Sequence, residues 1–334
     1  MAKENLLEIK DLTVSVRQNK TTLPIVKGIT MQIPRGSIVG LVGESGCGKS
    51  MTAKAINGIL PSFAEISSGN IDWYGNKDCP VNLASLSEGK LRKYCGTEIA
   101  MVFQEPMTSL NPMMRVGDQI REVLMLHKLE SNPLKARERV VEMLDAVGID
   151  RPDMRYNSYP HELSGGMRQR VMIAMAVIGS PKLLIADEPT TALDVTIEAQ
   201  ILKLIKKMCL TYSMSALVIT HNMGVVASIC DYVYVMYMGT IMERAPMGEM
   251  FAHPVHPYTR GLLSSIPRIG HNPEYLKTIP GNVPEMNKTF PGCDFCLRCS
   301  DDIRECFFHK PNELEVGSDH FVRCHVFGKE EDGR

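Results

Sequence analysis

The chain has almost no net charge: 37 Lys and Arg stand against 38 Asp and Glu, for a formal charge of -1. No overall positive field draws it to nucleic acid or to anionic lipid, which argues against a DNA- or RNA-binding role. A secretory leader is also missing. The opening "MAKENLLEIKDLTV" carries Lys3, Glu4, Glu8 and Lys10 where a signal peptide has an unbroken apolar core. The longest apolar run, "VMIAMAVIG" at residues 171–179, is about half of the roughly 20 residues a membrane-spanning helix needs. Internal repeats and low-complexity runs are absent, and no sustained heptads lie between Ser50 and Leu163. These absences describe a cytosolic protein, in which disulfides are not expected.

What remains is a globular composition. With 334 residues, 44% of them hydrophobic and 22% charged, the chain can bury a sizeable core in one large domain and something smaller. Short continuous apolar runs at "SIVGLVG" (37–43), "LLIAD" (183–187), "ALVIT" (216–220) and "YVYVMY" (232–237) predict buried, largely parallel strands. Between them, "TIEAQILKLIKKMCL" places Ile197, Ile201, Leu204 and Met208 on one helical face. The fold class is therefore α/β. The middle of the chain differs. "RVGDQIREVLMLHKL" and "PLKARERVVEMLDAVG" are helical patterns, the second opening on Pro133 and closing at Gly148. They predict a helical subdomain, about residues 105–180, inserted into a sheet domain that spans 1–250. From Phe251 the texture turns rich in proline and glycine, which marks residues 251–334 as a separate C-terminal extension.

"GESGCGKS" matches a phosphate-binding loop, and it lies between a predicted strand and a predicted helix, the context such a loop requires. Backbone N–H groups of Gly43, Glu44, Ser45, Gly46, Cys47, Gly48, Lys49, Ser50 and Met51 can cradle a polyphosphate. Lys49 reaches its outer phosphates and Ser50 offers a hydroxyl to Mg²⁺. A glycine-rich turn without a ligand is the bland alternative, and the agreement of motif and context weighs against it. "LLIADEP" ends a strand in two acids. Asp187 can serve the magnesium shell, and Glu188 can polarise an attacking water. Two acids in a surface turn would read the same way without the loop upstream. "LSGGMRQR" opens a helix with Ser164, Gly165, Gly166 and Met167, a second anion-binding N-terminus in a chain that already has a phosphate site. A second cradle implies a second nucleotide, brought by another subunit.

At this point the sequence resembles the ATP-binding cassette family of P-loop ATPases, over nearly the whole chain. "LSGGMRQR" is similar to the family signature, "MVFQEP" carries a Q-loop glutamine at Gln104, "TTALD" resembles the D-loop with Asp194, and "VITHN" carries a switch histidine at His221. The resemblance implies two cassettes head to tail, with ATP between the phosphate loop of one and the signature of the other. It also implies Gln104 at the magnesium or the attacking water, with Mg²⁺ held by Ser50, Gln104 and Asp187, and His221 at the γ-phosphate. Cassettes carry an aromatic that stacks on adenine near "LTVSVRQNK"; here Val16 stands at that place with Arg17 beside it. Either the Arg17 guanidinium stacks or the base is held loosely.

The segments "HPVHPYTRGLLSSIP" and "IPGNVPEMN" and a closing Cys324–His325 resemble the C-terminal extension of oligopeptide, dipeptide and nickel importers. That subgroup implies an importer ATPase on the cytoplasmic face of the membrane. Its partners would be a second, related ATPase, two membrane-spanning permease subunits and an extracytoplasmic substrate-binding protein. A soluble cassette ATPase in translation, DNA repair or Fe–S assembly is the rival reading. Within "CDFCLRCSDDIREC", the family pattern maps to Cys293, Cys299, Cys306 and Cys324 as ligands of a [4Fe–4S] cluster, with Cys296 extra. By ligand type alone Zn²⁺ suits thiolates equally well, and the unit can also carry no metal. A role in folding or docking follows, with ATPase chemistry retained if the unit is lost. Cys47, Cys79, Cys95, Cys209 and Cys230 read as ordinary, although an oxidant could reach Cys47 in its loop. His253 and His256 read as turn residues rather than ligands.

Overall fold

The computed structural model describes residues 4–18, 21–75, 79–191, 193–266, 279–284 and 290–327. Residue 192 of the D-loop stretch and residues 285–287 of the extension motif lie outside them. Twelve strands follow in chain order: β1 (Asn5–Gln18), β2 (Thr21–Pro34), β3 (Ile38–Val42), β4 (Ala64–Trp73), β5 (Val81–Asn82), β6 (Ile99–Val102), β7 (Leu183–Asp187), β8 (Ser215–Thr220), β9 (Tyr232–Tyr237), β10 (Thr240–Pro246), β11 (Glu313–Gly317) and β12 (His320–Arg323). The chain divides into two compact units. One comprises Met1–Leu7, Ile33–Ile38 and Trp73–Ile219, the other Glu8–Gln32, Val39–Asp72 and Thr220–Arg334.

In the first unit β6, β7 and β8 run parallel, with Ile185 opposite Met101 on one side and Leu217 on the other. Every residue of β7 and β8 is buried, which explains why both are unbroken apolar runs. Three helices, Val116–Leu126, Pro133–Ala146 and Gly165–Val177, pack against one another in this unit. Asn132 caps the second through its side-chain oxygen, and Pro133 occupies its first turn. Gly148, at φ 77, follows its C-terminus and donates to the Asp145 carbonyl.

In the second unit β3 pairs in parallel with β9, and β9 continues through antiparallel β10 and β12 to β11. A second sheet runs in the order β2-β1-β4. The strands read from sequence begin at Ser37, so this sheet is an addition. Its strands alternate inward and outward residues instead of running continuously apolar: Leu7, Ile9, Leu12 and Val14 are buried, while Lys10 and Asp11 are exposed. Asp11, at φ 49, breaks the alternation midway and hides the period. The antiparallel β9-β10-β12-β11 run also makes the sheet less uniformly parallel than the apolar runs suggest.

Candidate active site

The phosphate loop belongs to the second unit. Fully buried β3 delivers Gly43, where a Cβ would collide with the Met236 carbonyl and the Cys47 sulfur, so only glycine fits. The loop ends on Gly48 at φ 108, which feeds the helix Lys49–Asn57. Lys49 is 4% exposed. Its Nζ donates to the carbonyls of Gly43 and Glu44 at 2.8 and 2.9 Å and lies 3.7 Å from Cys47 Sγ. The ammonium thus closes over the carbonyls of its own loop. Ser45 and Gly46 are exposed, and Ser50 and Met51 half-buried. Cys47 is fully buried, and burial raises its thiol pKa despite the neighbouring Lys49. Access by an oxidant, expected from sequence, does not fit that environment. His221 is exposed in the turn after β8, ahead of a helix that Asn222 caps by accepting from Gly224 N–H.

The first unit carries the other motifs. Asp187 ends β7 at 4% exposure. Glu188 follows in the left-handed region at φ 46, its N–H donating to the Ile219 carbonyl at 2.9 Å. Strained backbone of this kind persists where the surroundings hold it. Glu188 Oε2 accepts from Gln104 Nε2 at 3.0 Å and from the Thr191 hydroxyl at 2.8 Å. The structure thus brings two expected residues together and adds Thr191, which the sequence marked only as part of the D-loop stretch. Ser164 caps the helix Gly165–Val177, accepting from Met167 N–H at 3.3 Å. Ser164 and Gly165 are exposed. A Cβ on Gly165 would meet Leu193, and one on Gly166 would meet Ile197, so signature and D-loop lie side by side. Asp194 is exposed at the N-terminus of the helix Val195–Thr211.

Arg17 is exposed and engaged. Its guanidinium meets Glu65 at 2.5 Å, and its N–H bonds the carbonyl of Phe63, an aromatic that is 56% exposed. Val16 is half-buried.

The scan against family models matches residues 26–191 to the ABC transporter model, and residues 242–306 to the oligopeptide/dipeptide transporter C-terminal region. Among curated relatives, the oligopeptide transport ATP-binding protein AppD of Bacillus subtilis (strain 168) is 46% identical over 97% of this chain and 98% of its own length. This chain belongs to the ABC transporter ATPase family. The cassette is an ATP-hydrolysing subunit of a transporter, which favours that reading over a soluble cassette of translation or repair. The dipeptide transport ATP-binding protein DppD of the same organism is 44% identical over 96% of the cassette chain and 94% of its own. Among solved structures, cbiO1 from Clostridium perfringens, part of the ABC transporter complex cbiONQ, aligns with TM-score 0.63 at 29% identity, covering 75% of this chain and 92% of that one. The dimeric cassette MJ0796 bound to ADP and Pi has TM-score 0.64 at 24% identity over 72% of this chain and 98% of its own, a likeness of fold.

The extension places its cysteines together. Cys293, Cys296, Cys299, Cys306 and Cys324 are all free thiols. Burial raises Cys293 to about 12, with further upward pushes from Cys306, Cys296 and Cys324. Cys299 is raised to about 11, again chiefly by burial, with Cys324 and Cys306 nearby. Cys296 contributes to the push on Cys293 and is itself raised to about 11, chiefly by burial. Among the described residues no three His, Cys, Asp or Glu side chains meet at metal-ligating distance. The donor chemistry suits a soft metal or cluster, whereas the geometry needed to hold one is not formed. His256 is buried, accepts from Tyr258 N–H at 3.0 Å and caps the helix Pro257–Ser264. His253 is exposed and bonds Glu249. Neither histidine serves the cysteines.

Proposed function

We propose that this cassette energises the import of dipeptides or oligopeptides. The observation that carries the reading is the match of residues 242–306 to the oligopeptide/dipeptide transporter C-terminal region. Relatives named for oligopeptide and dipeptide transport support it across nearly the whole chain. The nickel alternative has no such support. Residues 43–51 hold the nucleotide phosphates, and Ser50, Gln104 and Asp187 hold Mg²⁺, which supplies charge neutralisation at the phosphates when bound. Glu188 orients and polarises the attacking water, with its carboxylate fixed by Gln104 and Thr191. His221 steadies the γ-phosphate. Ser164 to Met167 and Asp194 face the nucleotide of a second, related ATPase chain.

In this reading residues 1–250 are the nucleotide-binding domain, with a helical part near 105–180 that docks on two permease subunits, and 251–334 the extension. Among the described residues no helix is long and apolar enough to cross a membrane, so the permeases carry the spanning segments. The cassette then sits peripherally at the cytoplasmic face, and an extracytoplasmic binding protein selects the substrate. The thiols of Cys293, Cys299, Cys306 and Cys324 are the donors that would take a [4Fe–4S] cluster, with zinc the alternative, and they would have to draw together to do so. The soft thiol donor set, not its present arrangement, supports that reading.

The test is reconstitution of the transporter in liposomes with its partner subunits. ATP-dependent uptake of labelled oligopeptide, with no uptake of nickel, is the expected result. Nickel uptake with no response to any peptide overturns the peptide reading and leaves the ATPase assignment standing.

A further inference from the structure

The phosphate loop is gripped by the C-terminal extension. Arg298 Nη1 meets Glu44 Oε2 at 2.5 Å and Arg298 Nη2 meets Glu44 Oε1 at 3.0 Å, a two-pronged guanidinium–carboxylate pair. The Arg298 side chain is only 5% exposed. Its Nε donates to the Pro280 carbonyl at 2.9 Å and Nη1 also reaches the Tyr237 hydroxyl at 3.4 Å. Glu44 is held from a second side, its N–H donating to the Tyr258 hydroxyl at 2.8 Å. Tyr258, Tyr237 and Phe295 pack ring against ring, with centroids 4.8 to 5.2 Å apart, so both clamps share one rigid aromatic floor.

Glu44 is a charged residue inside the loop expected to receive a polyphosphate, and its own carbonyl accepts from Lys49. An unpaired carboxylate there would repel the ligand. Resting on the reading of residues 43–51 as the ATP site, we propose that Arg298 is a positioning residue for nucleotide binding, neutralising Glu44 and pinning it away from the phosphates. The cation also stands in the turn Cys296–Arg298, immediately before Cys299. A rearrangement of the cysteine unit therefore moves the cation that keeps the phosphate loop receptive. This departs from the expectation that losing the unit leaves ATPase chemistry unaffected.

The experiment measures ATP affinity of the purified full chain by titration calorimetry at about 50 mM and about 500 mM salt, where exposed charge effects are weakly and strongly screened. Arg298→Ala should bind ATP about tenfold more weakly at low salt, with a smaller deficit at high salt. Arg298→Ala combined with Glu44→Gln should recover to within about threefold of wild type, because the charge that needed neutralising is gone. Unchanged affinity in Arg298→Ala, or a double variant as weak as the single one, overturns the proposal. If Arg298→Ala does not fold, Arg298→Gln takes its place, since glutamine removes the charge while keeping a polar, hydrogen-bonding end near Glu44. Weakened binding that Glu44→Gln relieves supports the proposal, and wild-type affinity overturns it. Lys49→Ala separates the two readings. Loss of ATP binding in Lys49→Ala alongside wild-type affinity in the Arg298 variant defeats the proposal alone. Wild-type affinity in Lys49→Ala defeats the assignment of the site.

Discussion

The Gln104 amide and the Glu188 carboxylate are hydrogen-bonded at 3.0 Å, although 84 residues separate them in the chain. The Thr191 hydroxyl bonds the same carboxylate oxygen from three residues away. Donors from Gln104 and Thr191 fix the direction of this carboxylate on its left-handed backbone, which in the proposed role of Glu188 would spare catalysis the work of orienting it.

Glu188→Gln should retain ATP binding and lose nearly all turnover, because an amide can occupy the place without polarising water. Single-turnover hydrolysis in the assembled transporter checks this. A rate near wild type would remove Glu188 from its role.

Thr191→Ala should lower kcat several-fold with KM little changed, since a hydroxyl donor to the carboxylate is lost while the phosphate loop is untouched. Thr191→Ser keeps the hydroxyl and should restore most of the rate. Equal loss in both variants would point to packing rather than the hydrogen bond.

The isolated chain should hydrolyse ATP weakly, with specific activity rising on addition of its partner cassette, because the exposed Ser164 and Gly165 have no second phosphate loop to meet. Fast hydrolysis independent of concentration would contradict a composite site.

The cysteine unit should give a brown protein with broad visible absorption when purified without oxygen. Replacing Cys293, Cys299, Cys306 or Cys324 with Ser should bleach it, while Cys296→Ser should not. A colourless protein with about one zinc per chain would substitute a structural zinc site.

Burial lowers the His256 pKa to about 4, with Glu243 opposing and Arg260 reinforcing that shift. The unfolded chain, near 6.5, binds the proton more readily, so this contribution is complete above about pH 6.5 and is lost as pH falls toward 4. It amounts to ~3 kcal/mol at most. Urea midpoints should fall between pH 7 and pH 5, and His256→Asn, which can still cap the helix, should fall less. Parallel slopes would assign the acid sensitivity elsewhere.

Much of the site was legible locally. A phosphate loop is a contiguous run whose backbone does the binding, so "GESGCGKS" announces both its geometry and its ligand. Buried strands such as β7 and β8 show themselves as unbroken apolar runs because both faces are covered. The same logic made Ser164 readable as a helix cap and Pro133 as a helix start. Strands β1, β2 and β4 escaped because a half-exposed strand has an alternating pattern, and Asp11 interrupts it in β1. The sequence alone therefore determined where a glycine-rich loop joins a buried strand to a helix and which strands are buried, since both properties are written within a few neighbouring residues. Only the tertiary structure decided that Thr191 shares Glu188 with Gln104, that Cys296 adds to the push on Cys293, and that Arg298 reaches Glu44 across 254 positions. Pairs as distant as Gln104 with Glu188 and Arg298 with Glu44 are chosen by how the elements pack, and no local period or motif encodes that choice.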